Sequence, residues 1–133
     1  MKKEFEKMWH GHTLERDRAF LVTIELKGNG GHSSVPYKTH SPLIAGTELI
    51  RIISDKLWFE LDSFSNVILT PVAFDGGLKH NVIPDDAVIK YYGECANFEQ
   101  FRALQKIMHE SLEVVKLAYS VTYSISFERL KKK

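Results

Sequence analysis

The 133-residue chain has little of several features that mark particular classes of protein. Its single cysteine, Cys95, cannot form an internal disulfide, which excludes a disulfide-stabilised fold. A formal net charge of +1 gives no overall field that would favour nucleic acid or an anionic membrane. No apolar run approaches the length of a bilayer span, and the charged first residues lack the pattern of a signal peptide. We therefore expect a cytoplasmic protein with neither nucleic acid nor a membrane as its partner.

The composition is that of one globular domain. Hydrophobic residues make up 44% of the chain, and 133 residues is an ordinary length for a single domain. Residues 1–17 are charged and weakly patterned, and we interpret them as an arm or an artificial boundary. Regular patterns occupy residues 18–129, which we take as the domain, and residues 130–133 form a charged tail that we expect to be solvated.

Alternation of apolar and polar residues predicts four strands. These segments are 20–27, 66–73, 87–94 and 121–128. Pro71 lies inside the second segment. Because proline cannot donate a hydrogen bond to a neighbouring strand, we expect this strand at an edge of the sheet or with a bulge.

Apolar residues at spacings of three and four predict two helices. The first begins at Ser41-Pro42, where serine suits the N-cap and proline the first helical position. Its predicted apolar stripe is Leu43, Thr47, Ile50, Ile53 and Leu57. The second helix begins after Asn97, with Gln100 three residues later, which is the pattern of a capping box.

The predicted order is strand, helix, strand, strand, helix, strand. This order is typical of the split βαβ, ferredoxin-like arrangement. Since each helix has one apolar face, we expect an α+β fold of two layers, with a four-stranded antiparallel sheet and both helices on one face.

Two glycine-containing loops are the most unusual feature of the sequence. Residues 28–34 follow the first predicted strand and present His32, and residues 76–84 follow the second and present Asn81. Glycine allows a positive φ and the close approach of another chain segment. The glycines that we expect to shape these loops are Gly30, Gly31, Gly76 and Gly77. The β-α-β-β-α-β order would hold both loops near one end of the sheet.

Other kinds of site fit the sequence less well. A catalytic zinc ion needs about three protein ligands, and His10 and His12 in the first residues supply only two. Ser33 and Ser34 stand next to His32, but adjacent residues seldom reach each other in triad geometry and no orienting acid is evident. RNA-binding modules share the predicted element order, yet the basic and aromatic motif that they require is absent.

The two loops together resemble a pair of motifs in the dimerisation (lid) domain of the family-twenty zinc metallopeptidases. This family includes aminoacylases, carboxypeptidase G-type enzymes and hippurate hydrolases. The first motif is Gly-Asn-Gly-Gly-His-Ser-Ser-Val-Pro at 28–36. The second is Gly-Gly at 76–77 followed by Asn-Val-Ile-Pro-Asp at 81–85. The resemblance covers residues 18–129, with Ala96 standing where many family members have arginine.

The resemblance implies that the full-length protein has a second, catalytic domain. That domain would bind zinc and hydrolyse an amide bond in N-acyl amino acids or small peptides. This chain would then hold no metal and would not be catalytic alone. His32 would support the oxyanion, in the active site of the partner subunit, and Asn81 would bind a substrate carboxylate or amide. The resemblance also implies a homodimer formed through an edge strand and a helix. The residues assigned to that interface are Asn66, Val67, Ile68, Leu69 and Thr70.

One alternative of a different class stays open at this point. The chain would instead be a stand-alone ferredoxin-like dimer that binds a small ligand in a glycine loop or acts as an interaction module. Zinc-ligand segments encoded on both sides of the chain would distinguish the enzyme domain from this module.

Overall fold

A computed structural model of the chain describes residues 18–62 and 66–130. The expected N-terminal arm, the pair His10 and His12, and residues 131–133 of the tail lie outside the described residues. The elements in chain order are β1 (Ala19–Lys27), β2 (Gly31–His32), a short 3-10 helix (Pro36–Lys38), α1 (Pro42–Glu60), β3 (Ile68–Gly76), β4 (Val82–Ile83), β5 (Asp86–Glu94), α2 (Phe98–Tyr119) and β6 (Thr122–Arg129). No helix in the described ranges is long and apolar enough to cross a membrane.

The main sheet has the strand order β3-β5-β1-β6, and every neighbouring pair is antiparallel. Together with two long helices, this confirms the predicted ferredoxin-like α+β fold. The sequence did not predict a second, two-stranded sheet, in which β2 pairs with β4. This small ribbon joins the two glycine-containing loops, so it belongs with the site described below.

Strand β3 lies at one edge of the main sheet, as Pro71 led us to expect. Its register with β5 shifts between Pro71 and Ala73, which is a bulge in the edge strand. The strand begins two residues later than predicted, at Ile68, and ends at Gly76 instead of Ala73. Proline removes one backbone donor, so the bulge falls where continuous pairing would be hardest to keep.

The core lies between the sheet and the two helices. Strand β1 contributes four fully buried side chains, Phe20, Val22, Ile24 and Leu26. The ring of Phe20 meets the ring of Phe101 from α2 edge-on, with centroids 5.0 Å apart. Each such side chain contributes about 2–3 kcal/mol through burial, so the alternation seen in the sequence fixes which face of β1 meets the helices.

Helix α1 buries a stripe that differs from the predicted one. Its buried residues are Pro42, Ala45, Gly46, Leu49 and Ile53. Thr47, which was predicted in the stripe, is exposed, and its hydroxyl donates to the carbonyl of Leu43 at 2.9 Å. Small residues explain the difference, because a Cβ at Gly46 would lie 2.6 Å from Cζ of Phe74. The helix therefore meets the sheet along a face that a count of large apolar residues does not reveal.

Helix α2 begins with a variant of the predicted capping box. Oδ1 of Asn97 accepts a hydrogen bond from the backbone N–H of Gln100 at 2.8 Å, as that motif requires. The side-chain carbonyl of Gln100 accepts from the N–H of Ala96 at 2.7 Å, one residue before the cap. The helix buries Phe101, Leu104, Met108, Leu112 and Val115 at spacings of three and four, the pattern that predicted a helix here.

Candidate functional site

The two glycine-containing loops meet at one end of the sheet. Residue Lys27 at the end of β1 lies opposite Asp86 at the start of β5, and Gly76 at the end of β3 lies opposite Ala87. Beyond this end the loops pair as the β2–β4 ribbon, in which His32 lies opposite Val82. The backbone N–H of Ser33 donates to the carbonyl of Asn81 at 3.0 Å and extends the pairing.

Asp85 ties the second loop to the first through both its backbone and its side chain. Its carbonyl accepts from the N–H of Gly28 at 2.7 Å, and its Oδ1 accepts from the N–H of Gly30 at 2.8 Å. No role of its own was predicted for Asp85. The feature of the sequence that indicates this role is an acidic residue directly after the proline of the second loop, since a carboxylate is well suited to bind free backbone N–H groups.

Close approach of the two backbones explains one of the four expected glycines directly. A Cβ at Gly30 would lie 2.0 Å from the carbonyl oxygen of Ile83, closer than any side chain can approach. Gly77 has φ +82°, in the left-handed region that favours glycine. At Gly31 the nearest obstacle is only a methyl group of Thr39 at 3.1 Å. The requirement for glycine is therefore strongest where the loops touch.

His32 is exposed at the end of the ribbon, and its ring is hydrogen-bonded to Ser34. Nδ1 of His32 accepts from the backbone N–H of Ser34 at 3.1 Å, and Oγ of Ser34 lies 2.7 Å from the same nitrogen. Of the two neighbouring serines, Ser34 therefore does contact the ring, through a short local turn. Within residues 18–62 and 66–130 no carboxylate is hydrogen-bonded to this imidazole, so a triad is not completed.

Asn81 is exposed one ribbon position from His32, opposite Ser33. Among the hydrogen bonds of the described residues, Asn81 takes part through its backbone carbonyl, which leaves its carboxamide available for another contact. The neighbouring loop surface contains a groove of about 310 Å³, lined in part by Gly77, Lys79 and Val82. Among the described residues, no group of three or more His, Cys, Asp or Glu side chains is placed to hold a metal ion.

A second exposed surface runs along β3 and the end of α1, away from the loops. We call it the edge surface, and its apolar members include Leu57, Trp58, Val67 and Ile68, which line one groove between α1 and β3. Trp58 is 78% exposed, which is unusual for such a large side chain. The five predicted interface residues lie here. Ile68, Leu69 and Thr70 are in β3, and Asn66 and Val67 directly precede it.

Fold and site together define an α+β domain that offers two contact surfaces, a ribbon of paired loops and an open sheet edge. The chain matches the family model of the peptidase dimerisation domain over residues 15–120. It therefore belongs to that family, and this confirms the resemblance seen in the two loop motifs. Membership implies that the domain associates with itself.

Two curated relatives carry the names of amide hydrolases. Hippurate hydrolase of Campylobacter jejuni is 30% identical over 94 residues, covering 62% of this chain and 24% of that protein. N-acetyldiaminopimelate deacetylase of Halalkalibacterium halodurans is 23% identical over 104 residues, covering 78% of this chain and 28% of that protein. The chain thus spans less than a third of the length of these relatives.

Solved structures support the same fold. A putative aminohydrolase from methicillin-resistant Staphylococcus aureus superposes with a TM-score of 0.78 at 21% identity. The match covers 84% of this chain and 30% of that one. An aminopeptidase from Bacillus cereus superposes with a TM-score of 0.68 at 16% identity, over 84% of this chain and 29% of its own.

Proposed function

We propose that the chain is the dimerisation and lid domain of a zinc-dependent amidohydrolase or peptidase that cleaves N-acyl amino acids or small peptides. Family membership supports the dimerisation role, and the names of the relatives support the substrate class. The observation that carries the proposal is the pairing of the two loops, which leaves the imidazole of His32 exposed beyond the end of the sheet.

His32 acts as a hydrogen-bond donor to the oxyanion that forms when the amide carbonyl is attacked. A donor that is already aimed at developing charge stabilises the transition state more than the substrate. Because the ribbon is held to β5 through Asp85, the imidazole is positioned before substrate arrives. In the dimer it enters the active site of the partner subunit, and Asn81 binds a carboxylate or amide group of the substrate.

Zinc is supplied by the catalytic domain of the full-length enzyme. The exposed histidines of the described loops, His32, His40 and His80, do not form a group of three metal ligands with one another or with nearby carboxylates. The described residues therefore do not fit a zinc site, and we expect the chain alone not to hydrolyse amides. Its cytoplasmic location stays a prediction from the sequence.

Self-association takes place through the edge surface. Among residues 18–62 and 66–130, strand β3 pairs with one neighbour, β5, so its other side offers backbone groups to a second copy. Beside it, a groove of about 490 Å³ between α1 and β3 is lined by Leu57, Trp58 and Ile68, among others. Two-fold pairing of β3 with its copy would join two four-stranded sheets and cover these apolar side chains.

The substitution His32→Ala in the full-length enzyme tests the catalytic role. We expect kcat to fall by about 10²–10³ with little change in KM, because the lost bond is made mainly in the transition state. The matched control is His80→Ala, which removes an exposed imidazole outside the ribbon. An unchanged kcat for His32→Ala would refute the proposal. A reading frame without zinc-ligand segments on either side of the chain would favour the stand-alone module instead.

A further inference from the structure

Ser34 contacts one ring nitrogen of His32 in two ways. Its backbone N–H donates to Nδ1 at 3.1 Å, and its Oγ lies 2.7 Å from the same atom. A backbone amide can only donate, so Nδ1 must be the unprotonated nitrogen of a neutral imidazole. The proton of the ring is then on Nε2. The hydroxyl contact, which alone would fit either direction, is therefore also a donation from Ser34 to Nδ1.

We propose that Ser34 is a positioning residue that fixes the neutral tautomer of His32, so that Nε2–H is the donor offered to a substrate oxygen. This inference rests on the proposed function of His32. The backbone of His32 is held independently, because it pairs with Val82 and its carbonyl accepts from the N–H of Val35 at 3.1 Å. With the backbone fixed, the bonds at Nδ1 decide which way the ring faces.

The assigned tautomer restricts the chemistry that His32 can perform. A neutral imidazole with its proton on Nε2 donates through that nitrogen and cannot accept there. It therefore suits an oxygen that gains negative charge, and it does not suit the removal of a proton from water at that position. Ser34 is not the nucleophile in this arrangement, because no acid orients the ring through Nε2 among the hydrogen bonds of the described residues.

Nuclear magnetic resonance of the ¹⁵N-labelled 133-residue chain tests the tautomer directly, at a pH where the imidazole is neutral. We expect a protonated Nε2, an unprotonated Nδ1, and scalar coupling across the hydrogen bond between the Ser34 amide nitrogen and Nδ1. A protonated Nδ1, or the absence of that coupling, would overturn the proposal. This measurement needs no catalysis, so it is independent of the proposed function.

Variants separate the hydroxyl from the backbone donor. Ser34→Ala keeps the N–H and loses the hydroxyl, so the Nδ1 resonance should shift, and Ser34→Thr should restore it. Ser33→Ala is the matched control, because the N–H of Ser33 donates to Asn81 and not to the ring. If the Nδ1 chemical shift does not change in Ser34→Ala, or changes equally in Ser33→Ala, the role proposed for the hydroxyl is contradicted.

In the full-length enzyme, Ser34→Ala should lower kcat about fivefold at unchanged KM, the effect of losing one ordinary hydrogen bond, and Ser34→Thr should recover most of it. If His32→Ala lowers kcat but Ser34→Ala does not, the positioning role fails while the proposed function stands. If His32→Ala has no effect, the proposed function fails and the resonance data still decide the tautomer. Complete loss of activity in Ser34→Ala would far exceed the effect of one hydrogen bond and would overturn the positioning role.

Discussion

The substitution Gly30→Ala should push the two loops apart. A Cβ at position 30 would lie 2.0 Å from the carbonyl oxygen of Ile83 and 2.8 Å from the carbonyl carbon of Pro84. Ordinary contact begins at 3.4 Å, so the second loop has to move by 3.4 minus 2.0, or 1.4 Å. Both obstacles are backbone atoms, which cannot rotate away as a side chain can. The hydrogen bond from Gly30 to the carboxylate of Asp85 is lost with this movement.

Overpacking of this kind destabilises a protein by about 1–3 kcal/mol. For a domain of this size the melting temperature should fall by about 5–15 °C. The loss of stability cannot exceed the free energy of opening the ribbon locally, since the core between the sheet and the helices can stay folded when the loops separate. The same opening should expose the amide of Ser33, which donates to Asn81 in the intact ribbon.

Thermal unfolding followed by circular dichroism measures the first effect, and hydrogen exchange at the Ser33 amide measures the second. The control is Gly31→Ala, where the nearest atom is the methyl group of Thr39 at 3.1 Å. That methyl can yield by a few tenths of an ångström, so we expect a change below about 0.5 kcal/mol. If Gly30→Ala has the same melting temperature as Gly31→Ala and the Ser33 amide stays protected from exchange, the close approach of the two loop backbones is not what requires glycine at position 30.

Three further outcomes are expected. Ile68→Lys should raise the dissociation constant of the dimer at least tenfold in sedimentation, because it places a charge on the edge strand. The control is Leu117→Lys, an equally drastic change at an 81% exposed position on α2, which should not change the dissociation constant. Equal effects of the two variants would show that β3 is not part of the interface. Burial raises the pKa of the Cys95 thiol to about 12, so the unfolded chain loses this proton at a lower pH than the folded chain does. The free energy of unfolding should therefore fall as the pH rises above 9. Cys95→Ala should reduce that fall, and an identical pH profile in the variant would contradict this explanation. Asp85→Ala removes the acceptor of the Gly30 amide, which should exchange at least tenfold faster while core amides do not change; full protection would show that the carboxylate is dispensable.

Much of the fold follows from short-range patterns in the sequence. Alternation of apolar residues located all four strands of the main sheet, because burying one face of a strand requires it. Pro71 located the edge strand and its bulge through a missing donor. Asn97 and Gln100 located the start of α2, although Gln100 caps Ala96 and not Asn97. In each case one residue type has one strong physical consequence.

The parts that the sequence did not predict depend on contacts between distant segments. Strands β2 and β4 have two residues each, too few for any periodicity, and they exist because the loops meet. The buried face of α1 depends on Gly46 fitting against Phe74, which no count of large apolar residues registers. The bond between Ser34 and His32 depends on a tight turn that brings a residue two positions later back to the ring.

The bulge in β3 restricts how the edge strands of different copies of the chain can pair. The register shift between Pro71 and Ala73 is a bulge, which bends the strand and divides its outer edge into two short stretches. An incoming strand can follow one stretch but cannot be templated along the full nine residues. Pairing that is short and symmetric closes on itself after two molecules, whereas a long, flat, uninterrupted edge would recruit further strands into a fibre.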